Sequence, residues 1–508
     1  SIEVGSSDVS ADFQEGVSRE EAGDIASFNL SFTDTDEAYV QIGNEESNFV
    51  DVLWIVQDEA DTPVQIDMNT RLAGTNATAS AVYDTENTEH FASEAHSAVS
   101  IASHSDHSLP GNLKLYGDDG ANRTNVFDAY TEGGSGDNSY GYLQDLLGTG
   151  IGSTNQTVRP LQPTDYSIVA ADSAGLDGSS EAVFDADPGG VANNQLDSKT
   201  LTLTQPGIEG ITIHRATEDD ADADTEVEDV LEEASLASSV GDEVALDDRL
   251  VIQVEASGIY GSMVANMTNG GPGNNGVSWT RYTDGTVSSE VLGAVIDNAN
   301  EEGIDFSVES ETTTGNQGSN QLDLQSSDSE TYVVMDEENN QFFVIADTSD
   351  DNAFTQDAPE DATEFTAELT YDGDVSENRY EFATSSDDAS IAVDNNPFEP
   401  LNDSHSYPYI LHGDDNTLSA SASFDLTPRS VNFDNLNDDA VVEVAAAENA
   451  TVSGTTNVAP GTDAEIRLVS SSGNNTFQLG QDVDITEDGS ITAAFDLGDY
   501  PAGTEFSV

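Results

Sequence analysis

Cysteine is absent from the 508 residues, and lysine occurs only as Lys114 and Lys199. The first absence excludes disulfide staples, thiolate metal sites and a cysteine nucleophile. No run of about 18 apolar residues occurs, so nothing has the pattern of a membrane-spanning helix. Catalytic and phosphate-binding signatures are missing too. There is no GxSxG or HExxH, and Gly148, Gly150 and Gly152 fail the spacing of a dinucleotide-binding loop. Positive charge is the largest deficit: 12 basic residues stand against 99 acidic ones, for a formal net charge of -87. Without a Lys/Arg cluster, such a surface repels phosphate backbones and anionic lipid, which excludes nucleic acid as a partner and unassisted docking on a bilayer.

What is present argues for folding in brine. In dilute buffer this charge drives the chain toward expansion. The Debye length falls from about 10 Å at 0.1 M salt to about 3 Å at 1 M, so molar salt mutes the repulsion. Hydrophobic residues make up 36% of the chain, with 19 Phe and 15 Tyr spread along it. That content separates it from acidic disordered chains, whose low hydrophobicity leaves no core to bury. Arg and Asp in place of Lys suit a surface that must hold water, because Lys exposes a long apolar stem. Such a surface invites divalent cations as partners.

The apolar residues alternate with a period of two. Phe28, Leu30 and Phe32 share one strand face; Val64, Ile66 and Met68 share another, and Phe365, Ala367, Leu369 and Tyr371 a third. Phe49 to Val56 is almost continuously apolar and reads as a central strand covered on both faces. The run YVVMDEENNQFFVIAD reads as a hairpin around Glu337 to Asn340. Helical spacing appears twice in the middle of the chain. Val227, Val230, Leu231 and Ala234 follow a Thr225-x-x-Glu228 capping box, and Val291, Leu292, Val295 and Ile296 follow Ser288 and Ser289. The expected fold is therefore mainly all-β: tandem Ig-like antiparallel β-sandwich domains with one or two short helices in the middle region. The expected units are 1–214, with a loop-rich insertion at 84–152 large enough for a second domain; 215–430, with a candidate split at 310–328; and 431–508, whose final strand is cut short. The start at Ser1, without Met or a leader pattern, reads as a mature product after signal removal.

Several segments carry a family likeness. RPLQPTDYSIVAAD (Arg159 to Asp172), LTLTQPGIEGITIH and DRLVIQVEASGIYG resemble, in that order, the secreted surface glycoproteins of haloarchaea, of the S-layer type. REEAGDIASFNLSFTDTDEAYVQIGNEESNF with NTRLAGT (Asn69 to Thr75) is similar to that family's first module, and the stretch from Asn449 to Phe506 to its Ig-like repeat. The resemblance implies envelope or S-layer architecture at the cell surface, N-linked glycans, a C-terminal anchor outside this sequence, and no enzymatic activity.

Candidate sites follow from motif and charge. Asn29, Asn76, Asn122, Asn155, Asn266, Asn402, Asn449 and Asn474 sit in Asn-x-Ser/Thr without Pro between, the acceptor pattern for N-glycans. Calcium or magnesium as a structural ion needs clustered oxygen ligands. The clusters are Asp34, Asp36 and Glu37; Asp118 and Asp119; Asp220, Asp222 and Asp224; and Asp434, Asp438 and Asp439. No EF-hand is formed, because Thr225 stands where Gly is needed and Leu231 where the bidentate Glu is needed. His90, His96, His104 and His107 lie in polar, loop-like sequence and read as solvated side chains rather than zinc ligands. The expected role is a structural, non-enzymatic envelope glycoprotein of an extreme halophile, self-assembling into a cation-bridged extracellular lattice. The alternative is an adhesin or viral envelope spike recognising a cell surface.

Overall fold

A computed structural model of the chain describes residues 9–93 apart from 45, 46, 48, 75 and 76, then 96, 160–172, 195–221 apart from 219 and 220, 243–268, 286–296, 303–311, 318–372, and 417–508 apart from 440, 471–475 and 502. It also describes 115–116, 122–123, 381–383, 391–392, 405–406 and 408–411.

The first sandwich is built from β1 (Ser10–Phe13), β2 (Val17–Glu21), β3 (Ile25–Thr33), β4 (Glu37–Asn44), β5 (Phe49–Gln57), β6 (Val64–Asn69), the one-turn helix α1 (Ala79–Val82), β7 (Tyr83–Glu86) and β8 (Thr88–Ser93). After a two-residue pair, β9 (Leu115–Tyr116) and β10 (Asn122–Arg123), it is completed by β11 (Asp165–Ala171) and β12 (Gln195–Thr204). One sheet runs β1-β3-β6-β7 and the other β2-β12-β11-β4-β5-β8. Every pairing in them is antiparallel except β2 with β12. Alternation decides the faces. Phe28 and Leu30 are buried, as are Val64, Ile66 and Met68 opposite them. β5 is buried on both faces, at Phe49 and from Asp51 through Val56. Tyr166 turns the chain into β11: its hydroxyl accepts from Gln162 N–H (2.9 Å) and donates to Gln162 O (3.0 Å). This is the tyrosine corner typical of Ig-like sandwiches.

The second sandwich comprises β13 (Ile208–Ala216), β14 (Glu243–Ala245), β15 (Arg249–Ala256), α2 (Tyr260–Thr268), β16 (Thr286–Ser288), α3 (Glu290–Ile296), β17 (Ile304–Ser310), β18 (Thr331–Asp336), β19 (Gln341–Asp347), β20 (Thr363–Tyr371) and β25 (Leu418–Thr427). Its sheets run β13-β15-β19-β18-β16 and β14-β25-β20-β17. Four short strands, β21 (Glu381–Ala383), β22 (Ile391–Ala392), β23 (His405–Ser406) and β24 (Ile410–Leu411), make a small separate sheet. The expected hairpin is β18 and β19, closed by a 3-10 turn at Glu337–Asn339 with Asn340 left-handed at φ 54°. The expected second helix is α3. The helix expected at Val227 to Ala234 lies outside the described residues. β13 pairs with β15 from Ile208 onward, just past the Pro206-Gly207 break.

The third sandwich packs β26 (Val431–Phe433), β27 (Ala450–Thr456) and β30 (Ser490–Phe495) over β28 (Ala464–Ser470) and β29 (Phe477–Val483). Ile466, Leu468, Ile485, Ile491 and Phe495 fill its own core. The first two sandwiches instead share one contiguous core, which includes Ala22 and Ile25 of the first, Ile259, and Tyr260 and Met263 of α2.

Candidate functional site at the joints between sandwiches

Buried polar groups, costly unless hydrogen-bonded, collect where the sandwiches meet. At the first joint the turn between β2 and β3 places Asp24, 2% exposed, against the start of α2. Its carboxylate accepts Gly258 N–H at 2.6 Å and Tyr260 N–H at 3.0 Å. The first N–H groups of a helix lack intrahelical partners, and an acidic side chain there also meets the positive end of the helix dipole. α2 carries no acidic residue in its own first turn, so its cap comes from another module. The second sandwich reciprocates: Glu337 Oε1 accepts Ile25 N–H at 2.8 Å.

Asn69, fully buried, donates to Gly261 O (2.8 Å) while its carbonyl oxygen accepts Arg71 and Leu72 N–H. Gly261 N–H donates to Gly23 O (2.9 Å). The approach is so close that a Cβ on Gly261 would sit 2.2 Å from that oxygen. Gly258 is left-handed at φ +85° and abuts Pro206. Burial pushes the Asp24 carboxyl up to about 8 against the pull of its two backbone hydrogen bonds, and the neighbouring Glu21 and Glu20 add to the rise. Burial likewise raises Glu337 well above its ordinary range, with Asp24 adding to it.

The second joint uses the scarce arginines. Arg215, 3% exposed at the end of β13, donates to Asn457 O at 2.7 Å. Asp248, 2% exposed, accepts Ala459 N–H of the third sandwich (2.7 Å) and pairs with Arg429 (3.0 Å). Asn457 Nδ2 reaches Glu243, Thr427 and Pro428 O, and its Oδ1 accepts Ser430 N–H. Burial lifts the Asp248 carboxyl, opposed by the Ala459 hydrogen bond and then by Arg429 and Arg215. Burial lowers the Arg215 guanidinium, opposed by Asp248 and Glu243. With both charges desolvated, each hydrogen bond fixes orientation as well as contact.

The residues singled out from sequence fall elsewhere. Asp34, left-handed at φ 57°, and Asp36 are exposed in a turn, and Glu37 accepts the Tyr39 hydroxyl (3.1 Å). Asp434 takes the Ser453 hydroxyl (2.6 Å), while Asp438 and Asp439 are exposed beyond it. Among the described residues, no three His, Asp or Glu side chains are grouped so as to hold a metal ion. Asp118, Asp119, Asp220, Asp222 and Asp224 lie outside the described residues. So do Asn76, Asn155, Asn402 and Asn474 and the side chain of Asn122. Asn29 is half-buried on the outward face of β3, and Asn449 is exposed just before β27. Asn266 is half-buried on α2 and donates to Ser262 O at 3.0 Å.

His96 corrects the solvated reading. It is 4% exposed, with Nε2 at 2.6 Å from Ala73 O and Nδ1 at 3.0 Å from Ala77 O. His90 stacks on Trp54 at 5.8 Å, half in solvent, and His104 and His107 lie outside the described residues.

A profile for a domain of unknown function, DUF7827, matches residues 5–120. Cell surface glycoprotein 1 of Haloarcula hispanica is 26% identical over 505 residues, 99% of this chain and 43% of its own length. The chain is a relative of haloarchaeal cell surface glycoproteins. Cell surface glycoprotein 2 of the same organism is 25% identical over 502 residues, 98% of this chain and 43% of its own length. The chain thus spans less than half the length of the curated relatives it matches, and the alignment takes in all three sandwiches and both joints.

Proposed function

We propose that this chain is a stretch of a cell-surface glycoprotein with a mechanical role, setting sandwiches at fixed angles as a building unit of an extracellular surface layer. The observation that carries the reading is the pair of joints. Flexible tethers between modules need no buried hydrogen bonds, whereas these junctions commit Asp24, Asn69 and Asp248 to backbone groups, and Asn457 to the Glu243 and Thr427 side chains, of the neighbouring sandwich. The likeness to proteins named cell surface glycoproteins supports the location. The acidic exterior supports a briny setting, in which Ca²⁺ or Mg²⁺ bridges carboxylates on neighbouring copies whose surfaces otherwise repel. N-glycans on exposed sequons such as Asn449 face the medium. The test is microscopy of native envelopes before and after chelation at constant molar salt. A continuous sheet that breaks into single units on chelation supports the reading. Isolated projections, or a sheet indifferent to chelation, count against it.

A further inference from the structure

The third sandwich carries an aromatic groove at the end away from the second joint. β27 leaves for Asn457 at Thr456, whereas the groove gathers around the start of that strand, where Leu497 N–H donates to Ala447 O (2.9 Å). Ala446, Phe477, Leu497, Tyr500, Pro501 and Phe506 help line a space of about 140 Å³. Phe477 holds the set together, with the Tyr500 ring centroid at 4.4 Å and that of Phe506 at 6.4 Å. All three rings are only half-buried. An apolar cavity of about 150 Å³ holds one benzene, so the groove has room for a single six-membered ring.

The rim decides what that ring must offer. A Cβ on Gly498 would meet Asp496 Oδ1 at 3.4 Å and Glu448 Cγ at 3.5 Å, and Asp499 is exposed next to Tyr500. Ionised carboxylates accept hydrogen bonds and donate none, and covering one without a donor is costly. An apolar side chain from another acidic copy covers these groups without satisfying them. A pyranose meets both demands: one face of its ring is C–H and stacks on aromatic rings, while its edge carries hydroxyl donors. An attachment point lies alongside. Asn449, exposed in the turn that opens β27, begins the sequon Asn449-Ala450-Thr451 and stands three residues from groove-lining Ala446.

We propose that the glycan on Asn449 folds back so that one of its sugar rings stacks in the groove of Phe477, Tyr500 and Phe506, its hydroxyls donating to the carboxylates of the rim. This rests on Asn449 being a glycan acceptor, as read above, and adds a protein site for the attached sugar. A ring held there closes the open end of the sandwich and steadies the segment from Leu497 to Phe506, while the rest of the glycan reaches the medium.

Hydrogen exchange of the native, glycosylated chain in molar KCl tests this. The amides of Leu497, Tyr500 and Thr504, which donate to Ala447 O, Leu497 O and Pro501 O, report opening of the groove wall. A stacked ring of ordinary strength should slow their exchange about 2- to 10-fold relative to a chain without the sugar. Asn449→Gln and Thr451→Ala both abolish the sequon at exposed positions and should lose that protection equally, whereas Thr451→Ser preserves the sequon and should retain it. A glycan present on Asn449 with equal exchange in the wild type and both sequon variants overturns the stacking alone. Asn449 found unmodified by peptide mass spectrometry overturns the glycan reading at that residue and the stacking with it. Protection that persists in the sequon variants and rises with protein concentration places a second copy in the groove and overturns the proposal as well.

Discussion

Replacing Gly261 by alanine tests whether the first joint is a rigid weld. The added methyl would lie 2.2 Å from Gly23 O, 2.6 Å from Asn69 Oδ1 and 2.8 Å from Arg71 Cβ, all belonging to the first sandwich. None of these can yield locally. Gly23 O accepts Gly261 N–H, and Asn69 is anchored to Leu72. Overpacking of this kind costs about 1–3 kcal/mol. Pulling Gly23 away removes its hydrogen bond, about 1 kcal/mol, and weakens the adjacent Asp24 contacts, each worth about 1.5–3 kcal/mol if lost outright. Alanine in a helix returns up to about 1 kcal/mol. The net expectation is a loss of roughly 2–5 kcal/mol, a large share of ordinary domain stability. Gly207 supplies the matched control: it lies in the same joint, but a Cβ there meets nothing within 4 Å. Gly207→Ala should stay within about 0.5 kcal/mol of wild type. Urea unfolding in molar KCl, extrapolated linearly, reads both. Equal stabilities for the two variants would refute the claim of a close-packed weld.

Further expectations concern other sites. Asn457→Ala removes contacts to Glu243, Thr427, Pro428 and Ser430, and should cost about 2–4 kcal/mol, seen as earlier protease release of the third sandwich; an unchanged cleavage rate argues against the second joint. His96→Leu removes the ring contacts to the Ala73 and Ala77 carbonyls and should destabilise by about 1–3 kcal/mol, whereas a solvated histidine would be neutral to this change. Phe365, fully buried between Phe354 and Phe424, should cost about 3–5 kcal/mol as alanine, read as a lowered urea midpoint. Peptide mass spectrometry of native material should find a glycan on exposed Asn449 and none on Asn266, whose amide is committed to Ser262 O.

Strand pattern was readable because alternation survives any choice of partner. Phe365, Ala367, Leu369 and Tyr371 all point inward, and the β18–β19 hairpin closes at the expected turn. Helix α2 was not. The run SGIYGSMVANMT has a glycine on each side of Tyr260 and no acidic residue in the first turn, and the group that caps it is Asp24, 236 residues away. Local sequence holds no trace of a cap delivered by another module. The joints were hidden for a related reason. Asp24 is one acid among 99, and nothing nearby marks it as buried. Arginine carried the usable signal. Where basic residues are so few, each is a candidate for a built contact, and Arg71 and Arg215 are buried while Arg249 pairs with Asp347 at 2.5 Å. Density of charge along the chain marks candidate metal clusters, whereas coordination depends on convergence in space. Asp34 and Asp36 are exposed in the turn between β3 and β4.

A polyanion of this kind keeps its modules docked when salt mutes its surface and buried hydrogen bonds fix its joints. Small-angle scattering from the purified, metal-free chain measures this directly as KCl is lowered from about 4 M to about 0.05 M, where the Debye length grows several-fold. The predicted result is a constant radius of gyration at high salt, giving way to expansion as screening fails. A chain equally compact at both ends of the series would contradict it.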